Sequence, residues 1–214
     1  MEYSLDSITE DCYEGTTVLI NKFDIRDEKK LDELEQNITA VNAALIESES
    51  DFRDVDFKYY TNLHYRLFSD LYEWAGKIRT VNMSKKGTKF CDCTKIIELG
   101  EGYFKRLKEQ RYLTKMPFEK FIDELTELYC ALNMLHPFRE GNGRSQRLFL
   151  TLLIKNSGYE IDFSKVDTDL LMIATIKAVS GDIFLLKDIL RDNISAPPRQ
   201  HNKQRNRSEH EHER

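Results

Sequence analysis

Twelve consecutive residues, HPFREGNGRSQR at positions 136–147, bring together one histidine, one carboxylate, two glycines, an asparagine and three arginines. The stretches on either side are strongly apolar. Gly141 and Gly143 let backbone amides approach a ligand closely. The apolar pattern that resumes after Asn142 predicts a helix there, and the first amides of a helix have no internal partner and sit at its positive end. Such a turn would cradle a phosphate. Arg144 and Arg147, three apart, share a face and can reach further oxygens with charge-assisted, often bidentate bonds. Positive groups near a helix N-terminus oppose its dipole, so two of them there imply an anion between them, and a polyphosphate rather than a single phosphate. Glu140 fits the same site if Mg²⁺ bridges it to phosphate oxygens. His136 can take a proton from a hydroxyl nucleophile at neutral pH. A lone histidine is more often a cap or a core residue, but beside a phosphate loop the role of general base is preferred. His64 sits next to a core stripe and is read as structural. Pro137 ends a helix and Phe138 anchors the loop.

Amphipathic patterns supply the elements that would position this loop. Leu31, Leu34, Ile38, Val41 and Leu45 form one stripe of a helix over residues 28–48, read as core-facing. Phe57, Tyr60, Leu63, Leu67 and Leu71 predict a second helix running to Trp74, with Gly76 as its C-cap. In IRTVNMSKKGTKF, residues 78–90, alternation around a Lys-Lys-Gly centre predicts a small exposed hairpin. Further helices are expected over 94–110, 118–135 (apolar on a broad face, hence central), 142–156, 165–179 and 182–194.

The composition agrees with an all-α domain: of 214 residues, 40% are hydrophobic and 32% charged, with only 9 Gly and 4 Pro. The longest apolar runs, such as Leu148 to Ile154, fall far short of the roughly 20 residues of a membrane span, and no signal peptide is read at the N-terminus. Cys12, Cys91, Cys93 and Cys130 are too few and irregular for a disulfide scaffold, and the Cys91-x-Cys93 pair lacks the ligands of a structural zinc site. A cytoplasmic protein, or one delivered to a host cytosol, is expected. A net charge of −5 argues against nucleic acid as a partner. From Ala196 the chain is polar, with five Lys or Arg against three Glu, and residues 196–214 are expected to be a disordered tail.

The twelve-residue segment resembles the signature of the Fic family, H-P-F-x-D/E-G-N-G-R-x-x-R. His136, Pro137, Phe138, Glu140, Gly141, Asn142, Gly143, Arg144 and Arg147 match every specified position. LHYRLFSDLYEWAGKIRTVNMSKKGTKF, residues 63–90, is similar to the helix and flap that precede the active site in that family, and the likeness extends over roughly residues 20–193. The resemblance implies an all-α Fic-type core of about seven to eight helices within a domain at 1–195, and a short β-hairpin flap. It also implies ATP as substrate with Mg²⁺, and transfer of AMP to a Tyr, Ser or Thr hydroxyl of a target protein, self-modification included. By family role His136 would be the base, Glu140 the Mg²⁺ ligand, Gly141-Asn142-Gly143 the anion hole, and Arg144 and Arg147 the holders of the β and γ phosphates. Lys86 and Gly87 of the flap are further candidates for nucleotide contact. The flap from Ser84 to Phe90 would register an extended segment of the target by strand pairing. Relatives resembling Doc, which phosphorylate their target, replace the second glycine of the turn; Gly143 is retained here. A non-catalytic binding protein remains the alternative from another class. The family's inhibitory pattern S/T-x-x-x-E-G/N, whose Glu pairs with the second motif Arg, has no clean copy. Leu31-x-x-x-Glu35 is followed by Gln36 and is assigned to its helix's apolar stripe. Inhibition by a separate small protein, or an enzyme without such restraint, is the expectation that follows.

Overall fold

The computed structural model describes residues 11–49, 51–85 and 87–196, together with the backbone of residues 4–5. Seven α-helices carry the fold among them: α1 (Glu28–Glu49), α2 (Phe57–Phe68), α3 (Ile96–Glu109), α4 (Phe118–Leu135), α5 (Asn142–Asn156), α6 (Thr168–Val179) and α7 (Phe184–Asn193). Short strands β1 (Ser4–Leu5), β2 (Met83–Lys85) and β3 (Thr88–Lys89) form one antiparallel sheet, and β4 (Glu160–Ile161) pairs with β5 (Ile194–Ser195) in another. The all-α class holds. The domain limit at 195 and the expected tail fall at the end of what is described, residues 197–214 lying outside it.

Helix α5 is the axis. Leu148, Phe149, Leu150, Leu152, Leu153 and Ile154 are all buried, so it is apolar nearly all round after its first turn, as a helix must be when others surround it. It packs against α1, α2 and α4. Helix α4, read as central, packs against it and buries Leu125, Tyr129 and Leu132 among its apolar residues. Aromatic rings from different elements meet there: Phe149 lies 5.4 Å from Tyr60 and 5.2 Å from Phe104, centroid to centroid.

Three boundaries or faces differ from the reading of the sequence. The buried face of α1 runs through Leu31, Glu35, Thr39 and Ile46, whereas Val41 and Leu45 are 61% and 51% exposed. The apolar stripe misled because a charged residue, Glu35, occupies the inward position, where Tyr72 and Arg144 satisfy it. Helix α2 stops at Phe68 instead of Trp74. Residues 69–76 turn back on it, and Gly76 is the end of that return rather than a C-cap. Helix α6 begins at Thr168, three residues later than read, because Asp167 Oδ1 accepts from the amides of Asp169 (2.9 Å) and Leu170 (3.0 Å), an N-cap.

The hairpin at 78–90 is present, with Ser84 opposite Lys89 and Lys85 opposite Thr88. The far edge of β2 is occupied by β1, with Ser4 opposite Ser84 and Leu5 opposite Met83, a pairing the sequence did not suggest. No described helix is long and apolar enough to cross a membrane.

His64 joins α2 to the loop before α5. Its Nδ1 accepts from the Gly76 amide (2.8 Å), so Nε2 carries the proton and donates to the Glu140 carbonyl (2.9 Å). The ring stacks on Phe138 at 3.8 Å. Gly76 is required for this return: its φ is +76°, and a Cβ there would lie 2.8 Å from Tyr65 Cβ. Burial holds His64 neutral, down from 6.5 to about 4. With the folded value depressed, the unfolded chain takes the proton first, so stability is full above pH 6.5 and lost as pH falls toward 4. At 1.36 kcal/mol per unit, His64 alone removes about 2 kcal/mol between pH 7 and pH 5. In urea titrations at the two pH values, His64→Gln is expected to lose that much less stability on acidification than the unmodified protein. Equal losses would show that His64 is not buried neutral.

Candidate active site

The segment 136–147 links the C-terminus of α4 to the N-terminus of α5. Asn142, 3% exposed, closes it: Oδ1 accepts from the Phe138 amide and Nδ2 donates to the Phe138 carbonyl, both at 2.8 Å. Its side chain is therefore committed inward, and what it offers a ligand is its backbone amide. Gly141, with φ of +77°, is the N-cap of α5, and a Cβ there would run into the Phe68 ring. Only glycine brings the backbone this close. Gly143 plays a different part: a Cβ would stand 3.2 Å from Arg147 Nη1, so its absence lets that guanidinium lie against the first turn.

The charged residues are held in contrasting ways. Glu140, half-buried, turns its Oε1 onto the Gly141 amide (2.9 Å), a carboxylate at the positive end of a helix. Arg144 forms an ion pair with Glu35 and lies 4.8 Å above the Phe68 ring. Arg147 has no ion pair with any described residue. It lies beside Tyr129, and burial pulls its guanidinium below the usual arginine value. A desolvated arginine without an acidic partner, beside helix amides that have no internal acceptor, is suited to receiving an anion.

His136 is the C-cap of α4 and adopts a left-handed conformation, φ 41° and ψ 60°, uncommon for a residue with a Cβ. Its Nδ1 faces the Asn133 carbonyl at 3.2 Å, so the proton sits there and Nε2 is the basic nitrogen. Burial, aided by the nearby positive charges of Arg79 and Lys85, lowers it from 6.5 to about 3, so the ring is neutral at physiological pH. Phe90, from the end of the flap, stacks on the imidazole at 3.7 Å and 7°.

Arg79 fixes these pieces relative to one another. Only 5% exposed, it donates through Nε to the His136 carbonyl (2.7 Å), through Nη1 to Val81 O (2.7 Å), and through Nη2 to Cys91 O (2.5 Å) and Leu135 O (3.5 Å). Its own amide donates to Pro137 O (2.9 Å). One cation thus ties both feet of the flap to the carbonyl end of α4.

The structure brings His136, Glu140, Gly141, Asn142, Gly143, Arg144 and Arg147 into one loop and helix turn. It does not bring Gly87 there: that residue forms the tip of the hairpin with φ of +80° and open space around it. Lys86 lies outside the described residues. Sequence reasoning missed Glu35, Tyr72 and Arg79, and it saw His64 only as core. An Arg between Ile78 and Thr80 carries no local sign that it reaches four carbonyls, and the placing of Glu35 on its helix's apolar stripe carries no sign of partners on other elements.

The Fic/DOC family model matches residues 54–154. The chain is 38% identical over 184 residues to "Probable protein adenylyltransferase y4lH" of Sinorhizobium fredii, an alignment spanning 86% of this chain and 94% of that protein. It is 31% identical over 180 residues to the protein adenylyltransferase VbhT of Bartonella schoenbuchensis, spanning 84% of this chain and 38% of VbhT. Among solved structures, that of BepC of Bartonella tribocorum, a VirB-translocated effector with bound AMPPNP, superposes with a TM-score of 0.84 at 28% identity, covering 88% of this chain and 97% of the chain in that structure. The likeness runs through the helices and flap as well as the loop at 136–147, and the chain belongs to the Fic/DOC family.

Proposed function

We propose that this protein is an adenylyltransferase that moves AMP from ATP to a side-chain hydroxyl of a protein and releases pyrophosphate. The single observation that carries the reading is the turn at the N-terminus of α5, where Arg147 lies desolvated and unpaired beside free amides. Names of the relatives support the reaction class. Bound AMPPNP in BepC supports a nucleotide as ligand.

In this reading the amides of Gly141 to Gly143 and the two arginines hold the triphosphate, and His136 Nε2 takes the proton from the acceptor hydroxyl as its oxygen attacks the α-phosphorus. The bond from that phosphorus to the β-bridging oxygen breaks, and pyrophosphate leaves. Attack and departure both place negative charge where fixed positive groups wait, which is how phosphoryl and nucleotidyl transfer are chiefly accelerated. The strained φ of His136, fixed by Arg79 and Pro137, serves to aim Nε2. Glu140 is the one carboxylate of the segment 136–147, and no group of three ligating side chains exists among the described residues. That donor set suits Mg²⁺ arriving with the nucleotide, because this ion is commonly held by one or two carboxylates plus phosphate oxygens. When bound, Mg²⁺ would neutralise charge on the phosphates; Glu140 would first have to release the Gly141 amide.

The flap presents the target. With β1 on the outer edge of β2, an extended target segment pairs along β3 or takes the place of β1. A separate small inhibitory protein and a domain spanning residues 1–195 complete the proposal.

His136→Ala is expected to lower AMP transfer by at least 100-fold, the usual scale for a general base, while leaving calorimetric ATP affinity within about twofold. A variant that retains near-normal transfer would remove His136 from the role of base. Incubation of the protein and a cell lysate with α-³²P or γ-³²P ATP separates the reaction from phosphorylation: label from the α position alone is expected. Label transferred only from the γ position would establish a Doc-like kinase instead.

A further inference from the structure

Glu35 is a carboxylate in the wrong place for a surface helix. It is 6% exposed, on the inward face of α1, more than a hundred residues from the loop it touches. Its Oε1 accepts from Arg144 Nη2 and its Oε2 from the Tyr72 hydroxyl. Tyr72 is itself buried, stacks on Trp74 at 4.4 Å, and is held in its protonated form by burial and by the charge of Glu35. The Phe68 ring, fully buried, supports the Arg144 guanidinium and lies where a Cβ on Gly141 would fall. Three elements thus converge on one arginine of the phosphate turn.

We infer that Glu35 and Tyr72 are positioning residues, which hold Arg144 as a preset half of the phosphate clamp while Arg147 is left uncompensated for the ligand. The inference rests on the reading of Arg144 as a phosphate-binding residue. The geometry supports it in two ways. Glu35 engages Nη2 only, and Nε and Nη1 of Arg144 make no hydrogen bond to a described residue, so the planar fork keeps donors for a phosphate. Moreover, a contact built to yield when nucleotide enters would leave a buried carboxylate without its cation, which is strongly destabilising. Glu35 and Tyr72 sit in the core and have no solvent to turn toward. The contact is therefore made to persist in the bound state, unlike a glutamate that blocks the site. It also engages the first arginine of the motif, leaving the second unobstructed.

The prediction has a sign that separates orientation from charge. Glu35→Gln keeps shape and removes a negative charge, so by Coulomb attraction alone it would tighten binding of a polyanion. A positioning role demands the reverse. ATP affinity, measured by calorimetry, is expected to weaken about tenfold in Glu35→Gln, with AMP affinity unchanged because AMP lacks the β and γ phosphates. In an Arg144→Ala background the same substitution should have no further effect on ATP affinity, since it acts through that side chain. Tyr72→Phe, which keeps the ion pair, should weaken ATP in the same direction but less, and it carries the test if Glu35→Gln does not fold. ATP affinity unchanged or increased in Glu35→Gln, a gain in AMP transfer, or an undiminished effect without Arg144 would each overturn the inference. Binding is read independently of turnover. If the unmodified protein moves no label from α-³²P ATP while the Glu35 and Arg144 effects still fail to add, the positioning role stands and the proposed reaction falls.

Discussion

The first turn of α5 can be reached only by a left-handed glycine pressed against an aromatic ring, and the rest of the structure is arranged around that constraint. Gly141 brings the amides into the open, Phe68 leaves no room for a larger residue, and Asn142 closes the loop onto Phe138. Because α5 is apolar almost all round beyond this turn, it must be enclosed by α1, α2 and α4. Those enclosing helices carry Glu35, Phe68 and His136 to the same end of it. Burial of the axis helix and assembly of the site are one event.

Positive charge in this centre is distributed unevenly, and the unevenness has a use. Arg144 is compensated by Glu35, Arg79 by four main-chain carbonyls, and Arg147 by no described acidic group. A buried cation satisfied by carbonyls or by a fixed carboxylate serves geometry, whereas one left unsatisfied costs free energy until a ligand arrives. The histidines follow the same division. Both are buried and neutral, but His64 spends its two nitrogens on main-chain groups, while His136 spends Nδ1 on Asn133 and has Nε2 as its basic nitrogen.

Much of the candidate site was legible in the sequence because it is local: a helix N-terminus, two glycines and two arginines within a dozen residues have few physical uses. Helices α4 and α5 were read with their full extents for a similar reason, as periodic runs with clear ends. What escaped was non-local. The inward face of α1 was misassigned at Val41 and Leu45 because periodicity sorts residues by polarity, and Glu35 is polar yet buried through partners on α2's return and α5. The end of α2 was overrun because Leu71 continues the apolar spacing while the chain has already turned toward Gly76. Arg79 could not be found at all, since its four acceptors come from both feet of the flap and from the end of α4.

The central claim is that the first turn of α5, with Arg147 unpaired beside it, exists to receive a polyphosphate. Calorimetric titration of ATP and of AMP, each with Mg²⁺, into the unmodified protein and into Arg147→Met tests it most directly. ATP should bind the unmodified protein at least tenfold more tightly than AMP, about 1.4 kcal/mol, and Arg147→Met should abolish most of that preference while leaving AMP binding intact. Equal affinity for ATP and AMP in the unmodified protein, or a preference that survives the loss of Arg147, would contradict it.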